Sequence, residues 1–303
     1  LRKKEGSEND LAEKVPFSRL TVKTLRLRVG LRYSENSGTL TSTIRRIRIN
    51  KRSGESYKQR PLHPFAPALL LAMRHTGRLD MIDLGTWNLS IPVGSPPATI
   101  ETQQLLKGYD GKYFKSGASN ITFWAPVTGT KTANAVYPRT ELRETWSNGT
   151  LHNWYYQDAD NYLNAKLKVL QVPSSGKVVI GQIHVYDSTQ PLLKVEYQYK
   201  DATHMGNIVA KVRYHPNDKK PRVITIAENV ELNETFNYVI HLNKAGLLSV
   251  TAHGMAWNDR ISATWSKQQL YFKAGVYTQD NTGYTSEGGK TMFFNLDADH
   301  NKS

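Results

Sequence analysis

From residue 81 onward, apolar and polar residues tend to alternate, and the period is two rather than the three to four of a helix. The segments that carry this pattern, many rich in Val, Ile, Tyr and Phe, are Thr86–Ile91, Ile121–Pro126, Arg139–Glu144, Asn161–Gln171, Val178–Tyr186 and Leu192–Tyr199. It continues through Ile208–Tyr214, Val223–Ala227, Phe236–Leu242, Leu247–Ala252, Gln269–Tyr277 and Thr291–Leu296. Turn-forming clusters such as Val172-Pro173-Ser174-Ser175-Gly176, His215-Pro216-Asn217-Asp218 and Lys244-Ala245-Gly246 separate them. Helical spacing is confined to one short stretch, Thr99–Gly108. About a dozen strands at this spacing predict an all-β fold, a sandwich of two antiparallel sheets of the β-jelly roll type.

In three of these segments the polar positions carry unusual chemistry. Arg139, Glu141 and Arg143 fall on one strand face, Gln182 and His184 on another, and Lys273, Tyr277 and Gln279 on a third. The residues between them, including Leu142, Ile183, Phe272, Ala274 and Val276, suit a core. A surface with these groups is equipped to hold an anion and move a proton. One fitting reaction is β-elimination from a uronic acid. The carboxylate must be neutralised, a proton removed from the carbon beside it, and the leaving oxygen protonated. Arg139 and Gln182 can hydrogen-bond a carboxylate. His184 is a base near neutral pH, and Tyr277 is an acid that Arg139 and Lys273 are expected to make more acidic. Taken singly, each has another reading. His184 can be a structural donor, Arg139-Glu141-Arg143 a solvated ion network, and Tyr271 an ordinary sheet aromatic. Gly275 suits a close approach of backbone or ligand. Lys211 and Arg213 alternate with apolar neighbours and form either a basic strip for a polyanion or a solvated strand. The Asp280–Gly289 stretch reads as a flap or a long hairpin loop.

Charge changes the picture of the first quarter only. Residues 1–80 hold 18 Lys+Arg against 7 Asp+Glu, and the rest of the chain 22 against 19, so +11 of the net +14 lies there. A nucleic-acid reading rests on that segment alone. Its apolar run Pro61–Met73 is interior, Pro-rich and followed by Arg74-His75, unlike a signal peptide. We expect residues 1–80 to be a basic extension outside the folded domain, flexible or read through ahead of a start at Met81, and residues 81–303 to be the catalytic domain. A small basic domain is the alternative. Cysteine is absent, which rules out disulfides and thiolate chemistry. No apolar run reaches the roughly 20 residues of a membrane helix.

The segments Arg139-Thr140-Glu141-Leu142-Arg143, Gln182-Ile183-His184 and Tyr271-Phe272-Lys273-Ala274-Gly275-Val276-Tyr277-Thr278-Gln279 resemble, in order, the three signature segments of polysaccharide lyase family 7, the alginate lyases. The resemblance runs from about Met81 to His300, including Trp87-Asn88-Leu89, and omits residues 1–80. It implies a concanavalin A-like jelly roll with a concave groove for alginate. It also implies carboxylate neutralisation by Arg139 and Gln182, and proton transfer by His184 and Tyr277. Tyr277 would serve as acid, and as base too in a syn elimination; His184 would be the base for guluronate. Glu141, Arg143, Lys273 and Gln279 would line or support the groove, with Lys211 and Arg213 beside them. Ile183 is associated with guluronate-containing substrates, and the activity is expected to be endolytic. No metal or cofactor is implied, and the sequence shows no obvious His/carboxylate metal cluster.

Two rivals remain at this level. A glycoside hydrolase on the same sandwich needs two facing carboxyl groups, and Glu141 has no acidic partner two or four positions on. A non-catalytic polysaccharide-binding module would keep the basic groove without needing both His184 and Tyr277. The expected partner is alginate, bound by a monomer, with no nucleic acid or membrane. An extracellular polymer suggests a secreted or periplasmic protein, although no signal-peptide pattern is evident.

Overall fold

The computed structural model describes residues 82–301 and, earlier, the backbone of strands β1 (Leu25–Ser34) and β2 (Thr39–Ile49). These two strands pair antiparallel, from Leu25 opposite Ile49 to Ser34 opposite Thr39, within a unit spanning Leu1–Ala72. Alternation of Leu25, Leu27, Val29 and Leu31 with Arg26, Arg28 and Arg32 was the available signal, hidden in what reads as a charge run. The rest of the expectation for residues 1–80 lies outside the described residues. Met73–Ser303 form the second unit.

That second unit is the expected two-sheet sandwich. One sheet has eight strands, in spatial order β12 (Arg222–Glu231), β11 (Met205–Val212), β10 (Leu193–Lys200), β9 (Lys177–Val185), β16 (Leu270–Thr278), β7 (Arg139–Glu144), β3 (Trp87–Ser90) and β4 (Thr99–Ile100). The other has seven: β15 (Met255–Arg260), β14 (Leu247–Ala252), β13 (Thr235–Leu242), β8 (Asp160–Gln171), β17 (Gly288–Asn301), β6 (Ile121–Pro126) and β5 (Phe114–Ser116). All twelve sequence-predicted strands are present. The expected helix is shorter, α1 (Thr102–Leu106), because Thr99 and Ile100 join the sheet edge. Strands β4, β5 and β15 escaped the pattern. The first two are too short for a period to show, and β15 is exposed along most of its length.

The core lies between the sheets. Leu142, Ile183, Phe272, Ala274 and Val276 from one sheet meet Phe123, Leu163, Leu167, Tyr238 and Phe293 from the other, all fully buried. Each large apolar side chain so buried contributes about 1.5–3 kcal/mol. Phe114, Phe123 and Phe293 pack edge to face at 5.2 and 5.3 Å. Tyr238 crosses the sandwich to donate its hydroxyl to the Ile180 carbonyl at 3.0 Å, and Gly181 leaves room for it.

Register then decides which polar groups meet on the outer face of the eight-stranded sheet. Lys273 lies opposite Arg143 on one side and Gln182 on the other; Tyr277 lies opposite Arg139, Tyr271 opposite His184, and Lys194 opposite Gln182. Beyond Ala274, β16 has one residue more than β9, a bulge containing Gly275. Gly275 has φ +142°, and a Cβ there would sit 2.6 Å from the Thr140 carbonyl oxygen. The extra residue sets Tyr277 beside Val179 on the β9 side while it stays opposite Arg139 on β7.

Candidate active site

A cavity of about 580 Å³ opens on this face. Its floor holds Arg139, Gln182, His184, Lys194, Tyr271, Lys273 and Tyr277, and the loop segments Thr132–Val136 and Ser188–Pro191 contribute to its lining with Arg213. Six of the ten sequence-predicted site residues therefore converge: Arg139, Gln182, His184, Tyr277, Lys273 and Arg213. Glu141 lies beneath the floor, and Arg143, Gln279 and Lys211 do not line the cavity.

Glu141 is the electrostatic centre. It is 1% exposed, and its carboxylate receives Arg139 at 3.1 Å together with the Lys273 ammonium and the Gln182 amide N–H. Burial pushes its pKa up, but Lys273, Arg139 and the amide outweigh burial and hold it at about 2. The pair is not symmetrical. Lys273 is also lowered, to about 8, because burial and Arg139 outweigh the attraction of Glu141. With Glu141 ionised, Gln182 must turn its NH₂ toward it, and this leaves Gln182 Oε1 buried without a partner. Arg139 Nε is likewise buried and unpaired. Only three buried side-chain atoms among the described residues lack a partner, and two of them belong to Arg139 and Gln182. Orphaned polar atoms cost about 1–3 kcal/mol each, so their pairing in one cavity marks a place built for a ligand.

Tyr277 packs under Arg139, with the guanidinium 3.8 Å from the ring centroid. The expectation of a lowered phenol pKa does not hold. Burial raises it, Arg139 only partly opposes that, and the charge of Lys273 is spent on Glu141. His184 is pulled down to about 3 by burial, then by Lys273 and Arg139, so it is a neutral imidazole at neutral pH. Its Nδ1 lies 3.1 Å from Tyr271 Oη, 2.9 Å from Val185 N and 3.0 Å from Val185 O. Tyr271, which reads in the sequence as a sheet aromatic, thus touches the candidate base.

The remaining expected residues have other duties. Arg143 gives its guanidinium to the carbonyls of Glu144 and His152 and to Asn153 Oδ1, and stacks 4.0 Å over the Tyr271 ring. It braces the floor from the side. Lys211 is paired with Glu196 at 2.8 Å. Gln279 donates to the Tyr277 carbonyl at 3.3 Å. Arg213 lies just past the end of β11 and donates to the Asp218 and Pro191 carbonyls, which ties the Ser188–Pro191 loop to the sheet.

Sequence reasoning missed Lys194. It has no ion pair or hydrogen bond among the described residues, and its ammonium lies 5.0 Å from the Tyr277 ring centroid. Burial first, then Arg139, lowers its pKa to about 8. The signal was its alternation with Glu196 and Gln198 on a predicted strand. One group among the described residues gathers potential metal ligands: Glu144, His152 and His300, on the inter-sheet side of β7. Glu144 Oε1 lies 2.9 Å from His152 and 2.5 Å from His300, and its other oxygen accepts from Trp154 and the Phe272 amide. These are hydrogen-bond distances, shorter than the roughly 3.3 Å between ligands of a tetrahedral zinc ion. The cluster fits a hydrogen-bonded tie between the sheets.

The alginate lyase family model matches residues 82–300. A curated alginate lyase of Klebsiella pneumoniae is 27% identical over 279 residues, covering 73% of this chain and 90% of that protein. The crystal structure of an alginate lyase from Pseudomonas aeruginosa is 44% identical with a TM-score of 0.69, over 72% of this chain and 99% of that one. That of alginate lyase A1-II′, a member of polysaccharide lyase family 7, is 30% identical with a TM-score of 0.65, over 73% and 97%. With its three signature segments assembled in one cavity of a two-sheet sandwich, the chain belongs to the alginate lyases of polysaccharide lyase family 7.

Proposed function

We propose that this lyase cleaves alginate by β-elimination in the cavity of the eight-stranded sheet, with His184 as base and Tyr277 as acid. The observation that carries the assignment is the unpaired Arg139 Nε and Gln182 Oε1 in one buried place. A uronate group supplies what both lack: an acceptor for the guanidinium and, through a sugar hydroxyl or a protonated carboxyl, a donor for the amide oxygen. Alginate as substrate is further supported by a relative, A1-II′, crystallised in complex with its substrate (GGMG).

The steps follow from the charges. Arg139 withdraws charge from the carboxylate and acidifies the C5 proton. His184, neutral at neutral pH, offers a lone pair. Base action through Nε2 requires the tautomer with its proton on Nδ1, toward the Val185 carbonyl, in place of the one in which Nδ1 accepts the Val185 amide. A pKa of about 3 makes a weak base; burial lowers it most, and Lys273 and Arg139 add to that. A bound carboxylate offsets those two charges and raises His184 by that part, while burial continues to lower it. As the C5–H bond breaks, electrons form the C4–C5 double bond and the C4–O4 bond cleaves. Tyr277, kept protonated by burial, gives its proton to O4. An unsaturated uronate is left at the new non-reducing end.

We further propose endolytic action with some preference for guluronate-containing blocks. Endolysis is supported by the sheet face continuing past the cavity through Lys194, Gln198, Asn207 and Lys211. Ile183, the residue tied to guluronate, is fully buried in the core, so any influence it has acts through the placement of Gln182 and His184.

The test is growth of ultraviolet absorbance from the unsaturated product during incubation with alginate. His184→Ala and Tyr277→Phe should each lower kcat by about 10²–10⁴-fold with melting temperatures unchanged. New reducing ends without the absorbance would mean hydrolysis, and near-full rate in either variant on every block type would remove that residue from the mechanism.

A further inference from the structure

The outer face of the seven-stranded sheet carries a second cavity of about 480 Å³, within the ~300–1,000 Å³ range of small-ligand sites. Register explains its composition. Lys290 lies opposite Trp124 on β6 and Gln171 on β8, while Thr122 lies between Lys115 and Met292. The alternate residues Phe123, Thr291 and Phe293 point into the core, so Trp124, Thr122, Lys290 and Met292 share the outward face. Tyr113 joins through its carbonyl, which accepts the Trp124 amide at 2.8 Å, and Lys112 lies over the Tyr113 ring at 5.5 Å.

Two features separate this surface from an ordinary solvated sheet face. First, Trp124 is only partly buried and has no side-chain partner among the described residues, although an indole N–H normally finds one. Second, the charge is one-sided. Lys115 is neutralised by Asp110 at 2.5 Å, but neither Lys112 nor Lys290 has an acidic partner among the described residues. An indole face matches the apolar C–H face of a pyranose ring, and unpaired ammonium groups match carboxylates repeated along a chain. Lys115 and Lys290 stand two strands apart, ~10 Å across the sheet, so the surface is long enough for more than one sugar.

We propose that the Trp124–Lys290 surface is a second, non-catalytic binding site for a uronate segment of the polymer that the cavity on the opposite sheet cleaves. This rests on alginate being the substrate. Its effect is to hold a long chain near the active site, raising local concentration without altering chemistry. Short substrates that fill only the catalytic cavity gain nothing from it.

The experiment uses the full chain carrying Tyr277→Phe, so that polymer survives, and measures retention in gels containing alginate or carboxyl-reduced alginate. Adding Trp124→Ala and Lys290→Gln should weaken retention by alginate about 5–20-fold, the loss of one aromatic and one ionic contact. Carboxyl-reduced alginate should not retain either protein. In the otherwise native chain, the same two substitutions should leave kcat/KM on a uronate trimer unchanged and lower it on polymer. Lys290→Glu alone, an exposed change that spares the indole, should act in the same direction if the double variant is unstable. Unchanged retention in the Trp124/Lys290 variants, or loss only on Arg139→Ala, would overturn the second site. Absence of both retention and ultraviolet product in the parent chain would instead remove the substrate assignment on which it rests.

Discussion

Glu141→Gln removes one negative charge from beneath the active site with almost no change of shape. The carboxylate is 1% exposed and 3.1 Å from Arg139, with Lys273 and Gln182 on the same group. At an effective dielectric of ~20, one ion pair at that distance is worth about 5 kcal/mol, and stripping one partner from a buried pair costs about 3–5 kcal/mol. The carboxyl itself gives a second route. Lys273 and Arg139 overcome burial to bring it from 4.5 to about 2. At about 1.4 kcal/mol per unit this is about 3 kcal/mol of stability. For a domain of this size the melting temperature should fall by ~10 °C. The sign of the pH dependence is fixed by the lowered folded pKa: the contribution is whole above 4.5 and fades as pH falls toward 2. Scanning calorimetry should therefore show a deficit in the variant that is flat from pH 5 up to the titration of Lys273 and closes in acid. Lys273, deprived of the anion that supports its charge, should titrate below about 8, moving the alkaline limb of kcat/KM to lower pH. A variant melting within 2 °C of the parent at pH 7, or an equal deficit at pH 3 and pH 7, would refute the placement of Glu141 as the shared counterion.

Lys194→Met should raise KM for alginate by about 10–100-fold with kcat little changed, the cost of one desolvated charge contact. The parent KM should climb above pH 8, where Lys194 and Lys273 discharge, and the variant should show a weaker climb; identical pH profiles would exclude Lys194 from binding. Tyr271→Phe should lower kcat about 3–10-fold by removing one hydrogen bond to His184 Nδ1, and the ¹⁵N shifts of the ring should report a changed tautomer balance. Unchanged shifts with a lowered rate would place Tyr271 on substrate instead. Gly275→Ala forces a Cβ onto the Thr140 carbonyl at φ +142°, and should cost stability and kcat together; a variant that keeps full rate would show that the bulge does not aim Tyr277.

Period-two alternation was enough to put Arg139, Gln182, His184 and Tyr277 on sheet faces, because strand geometry alone sets which side chains share a side. What alternation does not contain is register. Lys194 sits across from Gln182, yet in sequence it reads like the outer positions of any half-solvated strand. Register also reverses expectations about charge. Counting nearby cations predicts an acidified Tyr277, but Lys273 faces Glu141's strand and is neutralised there, so burial prevails. Arg143 reads as a groove cation until the Glu144–Asn153 return brings two carbonyls and an amide oxygen to it. Glu144 at the end of β7, His152 in the loop after it and His300 near the end of β17 are spread over the chain and meet only in the folded sandwich. In each case the local pattern names the groups and the long-range pairing decides which charges are already satisfied. An active site for a polyanion is set by the difference. Among the cations of this face, Lys273 and Lys211 have protein counterions, while Lys194 and the Nε of Arg139 have no hydrogen-bond or ion-pair partner among the described residues.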